Sequence, residues 1–430
     1  MPDDSRPTHA RVKLAVWLCG LSAVLYLDRI CMSQAIKPIQ QEFKLSNSEM
    51  SAVMMAFTLA YGLFEIPTGR LGDKYGSRAV LTRIVIWWSI FTALTGACSG
   101  LISLIIVRFI FGAGEAGAFP NAARVISRWY PLNERGRVQG VLLAAAQIGA
   151  VVAPTLAAYL IDGVGWRFSF LIFGLIGVAW AAGFWWWFRD DPNKHLAVNA
   201  AEAELIRAGT SVHPPDPGPI PWHAVVRNRG IATLGTIMIL GSFFTYFFYT
   251  WFSKYLIDAR NLENLEAGRL ASLALAGSAI GVFVGGWIGD AITRHARDPV
   301  RARRYLAVVC YLSAAACLFL GVRCDDPLSL ALFWFGATGL MHVTLPNWWS
   351  VAIPQCGRHV GALFGLMNGL GVVGALASQG FVGVYSDWRK GLGYEGRAQW
   401  DPIFDVYVGV LIAGAIAWWF YRVRPLPDET

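Results

Sequence analysis

Apolar residues in this chain come in blocks of about 20, without the alternation of a half-buried strand or the single stripe of a surface helix. In the first half the blocks run roughly over 14–36, 49–69, 79–98, 101–123, 138–161 and 168–188. In the second half they run roughly over 230–257, 268–291, 305–322, 328–353, 361–386 and 404–422. At 1.5 Å of rise per residue, about 20 residues cross a hydrocarbon core of roughly 30 Å. The pattern predicts an all-α polytopic membrane protein with twelve transmembrane helices. A transmembrane β-barrel would show period-2 alternation, which the long runs lack. The first block is too long and too interrupted for a signal peptide, and no small-residue cleavage site follows it, so it is expected to be a retained span.

Composition agrees with the pattern. The chain of 430 residues is 55% hydrophobic and 15% charged, where a soluble domain carries about 25% charged residues. Lys and Arg collect in one set of loops: Arg70, Lys74, Arg78 and Arg83, then Arg128, Arg135 and Arg137, then Arg294, Arg297, Arg301, Arg303 and Arg304. Arg6, Arg11 and Lys13 at one terminus and Arg422 and Arg424 at the other fall on the same side, so both termini are expected in the cytoplasm of a multi-pass inner (plasma) membrane protein. This bias accounts for much of the net charge of +8 and argues against nucleic acid as a partner. The polar stretch 189–229, with "HPPDPGP" at 213–219, is too poor in apolar residues to form a domain. It is expected to be a cytoplasmic linker, with a short amphipathic helix around 198–208, joining helix bundles at 1–188 and 230–430.

The two halves resemble each other weakly. "GRLGD" (69–73) and "GGWIGD" (285–290) each lead out of the second block of their half. "RVQGVLLAAAQ" (137–147) aligns with "RHVGALFGLMN" (358–368), pairing Arg137 with Arg358 and Gln147 with Asn368. Two pseudo-symmetric bundles around a central site are expected, with Gln147 and Asn368 facing that site from equivalent helices.

"GRLGDKYGSR" (69–78) resembles the signature between helices two and three of the major facilitator superfamily, matched at Gly69, Leu71, Asp73, Lys74, Gly76 and Arg78. "RFIFGAG" (108–114) is similar to that family's helix-four motif. "YLDRICMSQAI", "GAGEAGAFPNAARVISRWYPLNERGR" (112–137) and "GLMNGLG" (365–371) resemble the anion:cation symporter branch, which carries sugar acids and other organic anions. The resemblance covers most of the chain. It implies the twelve-helix major facilitator fold and a transporter, not an enzyme, moving a small organic anion with protons.

Asp28 and Arg29 interrupt the first apolar block, where an ionised group costs about 2.5–3.5 kcal/mol even on the mildest scale. They are expected to face the bundle interior or a water-filled cavity. One reading is a structural salt bridge that pins the helix. Adjacent residues point about 100° apart, which suits that pairing poorly. The other reading is a site in which Arg29 grips a carboxylate with its planar fork and Asp28 titrates. Glu115 is a second acid, set among Gly112, Gly114, Ala116 and Gly117. The resemblance implies that Arg29 is the anion ligand, that Asp28 and Glu115 are proton sites, and that Tyr61, Gln147 and Asn368 contact the polar substrate body. Arg108 is either an inter-helix tether or, by resemblance, a participant in proton transfer. Burial disfavours the ionised form of a carboxyl, and a neighbouring Arg favours it. A substrate carboxylate that takes over Arg29 would therefore promote proton uptake by the acids, and the linkage is reciprocal.

Gly69, Asp73, Lys74, Gly76, Arg78, Arg135 and Arg137 are expected to form a cytoplasmic latch between the halves. The alternative is that their charges only set topology. Asp290 repeats Asp73 without the ordered basic pattern, and Arg294 is the candidate substitute. Glu65 departs from the branch's neutral polar residue and reads either as a surface acid near the headgroups, the favoured reading, or as a third titratable site. His342 reads as a packed residue rather than a proton relay, while Asn347, Trp348 and Trp349 are candidates for the second-half wall of the cavity. "FWWWF" (184–188) reads as an interfacial aromatic belt. The 7 cysteines form no Cys-x-x-Cys or His/Cys metal spacing. No Walker loop and no nucleophile–base set appears, so no cofactor, metal or ATP is expected. Three function classes stay open. They are proton symport of a sugar acid such as an aldonate or hexuronate, passive facilitation or exchange of a carboxylate such as an aromatic acid or dicarboxylate, and a transporter-like sensor. A monomer in the lipid bilayer is expected.

Overall fold

A computed structural model describes residues 7–208, 220–356 and 359–423. Arg6, Arg358, Arg424 and the "HPPDPGP" stretch lie outside the described residues, as do the side chains of Arg70 and Asp73. Among the described residues the regular structure is helical, and all twelve predicted blocks fall on helix. The helices are α1 (Ala10–Phe43), α2 (Asn47–Tyr75), α3 (Ser77–Thr95), α4 (Leu101–Glu115), α5 (Ala118–Trp129), α6 (Leu132–Trp187), α7 (Ala200–Ala208) and α8 (Trp222–Arg227). They continue as α9 (Arg229–Thr250), α10 (Phe252–Ala259), α11 (Asn264–His295), α12 (Pro299–Arg323), α13 (Pro327–Cys356), α14 (Val360–Gly391), α15 (Gly396–Trp400) and α16 (Ile403–Phe420). By length and composition, ten helical runs are able to cross a membrane.

Three breaks modify the predicted blocks. The fourth block ends as a helix at Glu115, because Ala116 is extended and Gly117 adopts φ 86°, a left-handed value that suits glycine. A Cβ at Gly117 would also lie 2.5 Å from Thr68 Oγ1. The fifth and sixth blocks form one helical run of 56 residues, folded at Gly165 (φ 82°, ψ 159°). The seventh divides at Trp251 into α9 and α10.

The chain forms two compact units. The first comprises Met1–Cys31, Ala56–Ala153 and Gly163–Pro215, and the second Met32–Met55, Pro154–Asp162 and Asp216–Thr430. In the first unit α3 packs on α4 and α5. The early part of the polar stretch also docks here. The Arg11 guanidinium bridges Glu202 of α7 at 2.8 Å and Glu134 at 2.6 Å. Glu202 is fully buried, and Ile206 joins the apolar core. Thr8 Oγ1 donates to the Ala197 carbonyl at 2.7 Å. His195 is held as its neutral Nε2–H tautomer. Nε2 donates to the Trp187 carbonyl at 2.9 Å, and Nδ1 accepts the Ala197 N–H at 3.1 Å. The aromatic belt is only half a belt: Trp185 and Trp186 are exposed, whereas Phe184 and Phe188 are buried and stack on each other.

In the second unit α11 packs along α13, α14 along α9, and α12 against α13 and α16. Small residues set the α11–α13 distance. A Cβ at Gly281 would lie 2.1 Å from the Gly339 carbonyl oxygen, and one at Gly285 2.4 Å from that of Val343. Backbones this close exclude larger side chains, as in other helix pairs within lipid.

Candidate functional site

The buried charges of the first unit meet between α1, α2, α3 and α4. Asp28 and Arg29 are neighbours on α1 and go different ways, as their angular offset requires. Arg29 Nε donates to Glu115 Oε1. Its guanidinium also lies over the Tyr61 ring at 4.3 Å from the centroid, with the Phe57 and Tyr26 rings at 5.5 Å. Cation–π contacts of this kind hold a guanidinium without neutralising it. Glu115 is the last residue of α4, where the unpaired carbonyls of the helix end disfavour a second negative charge.

Asp28 is fully buried. Its charged neighbours are Glu115 and Arg108, and the Trp88 indole lies beside it. Neither carboxylate oxygen has a hydrogen-bond partner among the described residues, and Glu115 Oε2 has none either. Arg108 is 1% exposed, stacks on Phe111 at 4.3 Å and Phe57 at 5.1 Å, and leaves Nε and one terminal nitrogen without a partner there. The internal pair Asp28–Arg29 does not occur. Two acids and two arginines share one buried region, joined directly at Arg29–Glu115.

Tyr61 is thus brought to Arg29. Glu65 is half-buried and within electrostatic reach of Tyr61, which places it nearer the site than the headgroup reading had it. Gln147 is half-buried on α6 in the first unit, and Asn368 is exposed on α14 in the second. Asn347 and Trp348 depart from the expected cavity wall. Asn347 is 1% exposed, and its amide donates to the carbonyls of Val343 at 2.9 Å and Gly285 at 3.4 Å, on the α11–α13 contact. The Trp348 indole is buried and donates to the Leu234 carbonyl of α9 at 3.2 Å. Of the expected second-wall residues, Trp349 is the exposed one. His342 is packed, with Nδ1 donating to the Thr338 carbonyl at 2.8 Å.

The signature loop is engaged inside the first unit. The Arg78 backbone N–H donates to Asp190 Oδ1 at 3.0 Å, and its guanidinium donates to the Trp185 carbonyl and lies over that ring at 4.1 Å. Gly76 (φ 82°) lets Asp190 approach, since a Cβ there would lie 2.7 Å from its Oδ2. Gly69 faces Pro120 of α5, and Arg135 Nε donates to the Tyr130 carbonyl at 2.9 Å. Lys74 and Arg137 are exposed. Asp290 pairs with Arg303 at 3.6 Å rather than with Arg294.

Sequence reading missed Phe57, Tyr26 and Trp88. Two of them carried a signal. Phe57 stands one turn before Tyr61, and Tyr26 one turn before Arg29, on shared helix faces. Trp88 carried none beyond its place in a span.

Comparisons with known proteins address the family and the fold. Similar proteins include a "Probable sulfoacetate transporter" from Cupriavidus necator, 29% identical over 96% of this chain and 94% of the relative. A "Probable L-galactonate transporter" from Escherichia coli is 31% identical over 74% of this chain and 70% of the relative. A "D-galactonate transporter", also from Escherichia coli, is 28% identical over 88% and 91%. The solved structure of a bacterial homologue of the human lysosomal transporter Spinster, inward-facing and occupied, aligns over 96% of each chain with TM-score 0.77. At 19% identity that likeness is one of fold. Residues 18–379 match the Major Facilitator Superfamily, and the chain belongs to that family.

Proposed function

We propose that this chain is a secondary active transporter that moves an organic anion inward with protons by alternating access. The substrate is a sugar acid such as an aldonate or hexuronate. The observation that carries the reading is the Arg29–Glu115 pair, stacked on Tyr61 and set beside the unpartnered carboxylate of Asp28. An ionised cluster this deep in an apolar bundle is costly and, inside a membrane, marks a substrate or proton pathway. The names of the relatives, with galactonate, galactarate/D-glucarate and sulfoacetate among them, support a small organic acid.

In this mechanism Arg29 holds Glu115 ionised when no substrate is present. The substrate carboxylate displaces Glu115 from Arg29, and Glu115 and Asp28 then take up protons. Arg108 offsets the charge of Asp28. Tyr61, Gln147 and Asn368 bond the hydroxyls. The loaded six-helix bundles, 1–188 and 230–430, rock about the site, with the segment 189–229 as the tether and both termini in the cytoplasm. Gly69, Asp73, Lys74, Gly76, Arg78, Arg135 and Arg137 supply the cytoplasmic latch.

The test is uptake into liposomes, neutral inside and acidic outside, with labelled D-galactonate, D-glucarate, hexuronates, sulfoacetate and benzoate. Uphill accumulation of a sugar acid, collapsed by a protonophore, is the expected result. Equilibration that ignores the pH gradient points instead to a facilitator or exchanger, and Asp28 and Glu115 then become structural. Binding without uptake of any panel member points to a sensor.

A further inference from the structure

The second unit buries a cation of its own, far from Arg29 in sequence. Lys254, on α10, is 6% exposed and donates to Asp258 Oδ2 at 2.5 Å. Lys37, on α1, holds the other oxygen of the same carboxylate at 3.8 Å, an ion pair too long for a hydrogen bond. Lys390, exposed near the end of α14, is a further positive neighbour of Lys254. The ion pairs of Lys37 and Lys254 thus both end on Asp258, and the group carries net positive charge. Asp387, close to Lys390 in the chain, is already committed. Its two oxygens accept the backbone N–H groups of Asn47 at 3.1 Å and Ser48 at 2.6 Å.

The donors of this group are under-used. An ammonium has three N–H donors. Lys254 spends one of them on Asp258, and Lys37 makes no hydrogen bond among the described residues. Two buried carboxamides of the same unit also keep polar atoms without a partner among the described residues. Gln34, one turn before Lys37 on the same face of α1, is fully buried, and neither its Nε2 nor its Oε1 has a partner there. The Trp251 indole, one turn before Lys254, donates to the Gln379 backbone carbonyl at 3.3 Å, and the buried Gln379 Oε1 is without a partner. Buried polar groups are normally bonded. Ammonium donors paired with carboxamides suit an anion that also carries hydroxyl groups. Lys37 lies about 40 Å along α1 from Ala10, a length of helix sufficient to cross a hydrocarbon core of roughly 30 Å.

We propose that Lys37 and Lys254, fixed by Asp258 and assisted by Lys390 and Gln34, form an outer docking site for the acidic group of an organic anion. This rests on the anion-transport reading above. The site collects the anion at the non-cytoplasmic end and raises its local concentration there, as a focused positive field does. Arg29 remains the ligand of the transported state.

The experiment uses the purified full-length chain in detergent. Lysines are labelled with an amine-reactive reagent and quantified by mass spectrometry, with and without D-galactonate, sulfoacetate or inorganic sulfate. Lys13 and Lys44 serve as internal controls. The expected result is several-fold slower labelling of Lys37 and Lys254 with anion, in the wild type and equally in Arg29→Ala, weakened by high salt. In liposomes, Lys254→Gln and Lys37→Gln are expected to raise the uptake KM several-fold more than they lower the maximal rate, and Lys254→Arg is expected to rescue. Unchanged labelling rates with all three probes overturn the proposal. So does protection that vanishes in Arg29→Ala, since the lysines would then only be reporting closure around Arg29. If protection holds while no panel anion is taken up, the outer site stands and the sugar-acid transport reading falls. If uptake is robust and Lys254→Gln leaves KM unchanged, the outer site falls alone.

Discussion

The two units treat buried polarity in different ways. The first buries four ionisable carboxylate and guanidinium side chains, Asp28, Arg108, Glu115 and Glu202, and brings Arg29 against Glu115. The second, among the described residues, buries mainly neutral polar groups, and it spends them on structure. His342 bonds Thr338, Asn347 bonds Val343 and Gly285, Trp348 bonds Leu234, and Ser378 bonds the Tyr407 hydroxyl at 2.6 Å. Its buried cation, Lys254, carries its own carboxylate one helical turn away. An ion in a bilayer interior persists only with compensation. In the first unit that compensation is incomplete, because both oxygens of Asp28 and one of Glu115 accept no hydrogen bond among the described residues. The first unit thus leaves buried charge short of partners, and the second, apart from the Lys37–Lys254 group, is a largely neutral frame among the described residues.

The largest effect is expected where that contrast is sharpest. Arg29→Ala removes the cation that both Glu115 and an incoming carboxylate need. Truncating one partner of a buried charge pair costs about 2–5 kcal/mol, so KM should rise by at least about 30-fold. Arg29→Lys should recover little, because an ammonium replaces neither the planar donors nor the stacking on Tyr61. Binding titrations on the purified variants decide it, and near-normal affinity in Arg29→Ala would remove the anion from the first unit. Next in size is Glu115→Gln. It keeps the shape and a hydrogen-bonding group beside Arg29 but cannot change charge. Accumulation against a gradient should stop at equal concentrations while anion exchange continues. A variant that still concentrates substrate would mean that Glu115 is not a proton site.

These effects also show how far a single sequence reaches. The spans and the buried charges were legible, because apolar length and an ion inside it are local facts. The partner of each charge was not. Arg29 meets Glu115, 86 residues away, and no helix period encodes which neighbour a face will touch. The break after Glu115 was visible as a run of glycines, yet only the φ of 86° at Gly117 shows that the helix ends there. Asn347 and Trp348 illustrate the opposite failure. Polar and aromatic residues on a span look like a cavity wall, and here their donors reach the backbone carbonyls of α11, α13 and α9 instead. The docked α7 was legible only as amphipathicity, since its anchor Glu202 finds Arg11 across 191 residues.

At the helix contacts of the second unit, away from Lys37 and Lys254, substitutions should therefore move stability more than transport. Gly281→Val forces side-chain atoms against the α13 backbone, and overpacking of this kind costs about 1–3 kcal/mol. Its thermal unfolding midpoint should fall while KM, in the fraction that remains folded, is unchanged. Trp348→Phe removes one indole hydrogen bond to Leu234, worth about 0.5–1.5 kcal/mol. Its KM should stay near the wild-type value. A large KM change with unaltered stability would show that Trp348 reaches the substrate, and the neutral frame would have to be redrawn as a binding wall.

The smallest effect separates the first unit's transport charges from its structural ones. His195 pins the start of the polar stretch through two bonds that only its neutral form makes together. Protonation would place a hydrogen on Nδ1, facing the Ala197 N–H. Burial holds the His195 pKa below the ordinary histidine value, as a neutral buried imidazole requires. With the docked pKa lowered, the undocked segment binds the proton more readily. Docking is therefore fully favourable above about pH 6.5 and weakens as the pH falls through the ordinary value towards the lowered one. The change should be at most about 1 kcal/mol, the scale of one hydrogen bond. Hydrogen exchange over residues 193–208 at pH 7.5 and 5.5 should show faster opening in acid for the wild type and a flat response for His195→Gln. Since His195 lies far along the chain from Asp28 and Glu115, proton-driven uptake by His195→Gln should keep the wild-type pH profile. An altered profile would tie the docked segment to the transport cycle and end the separation drawn here between the first unit's two sets of buried polar groups.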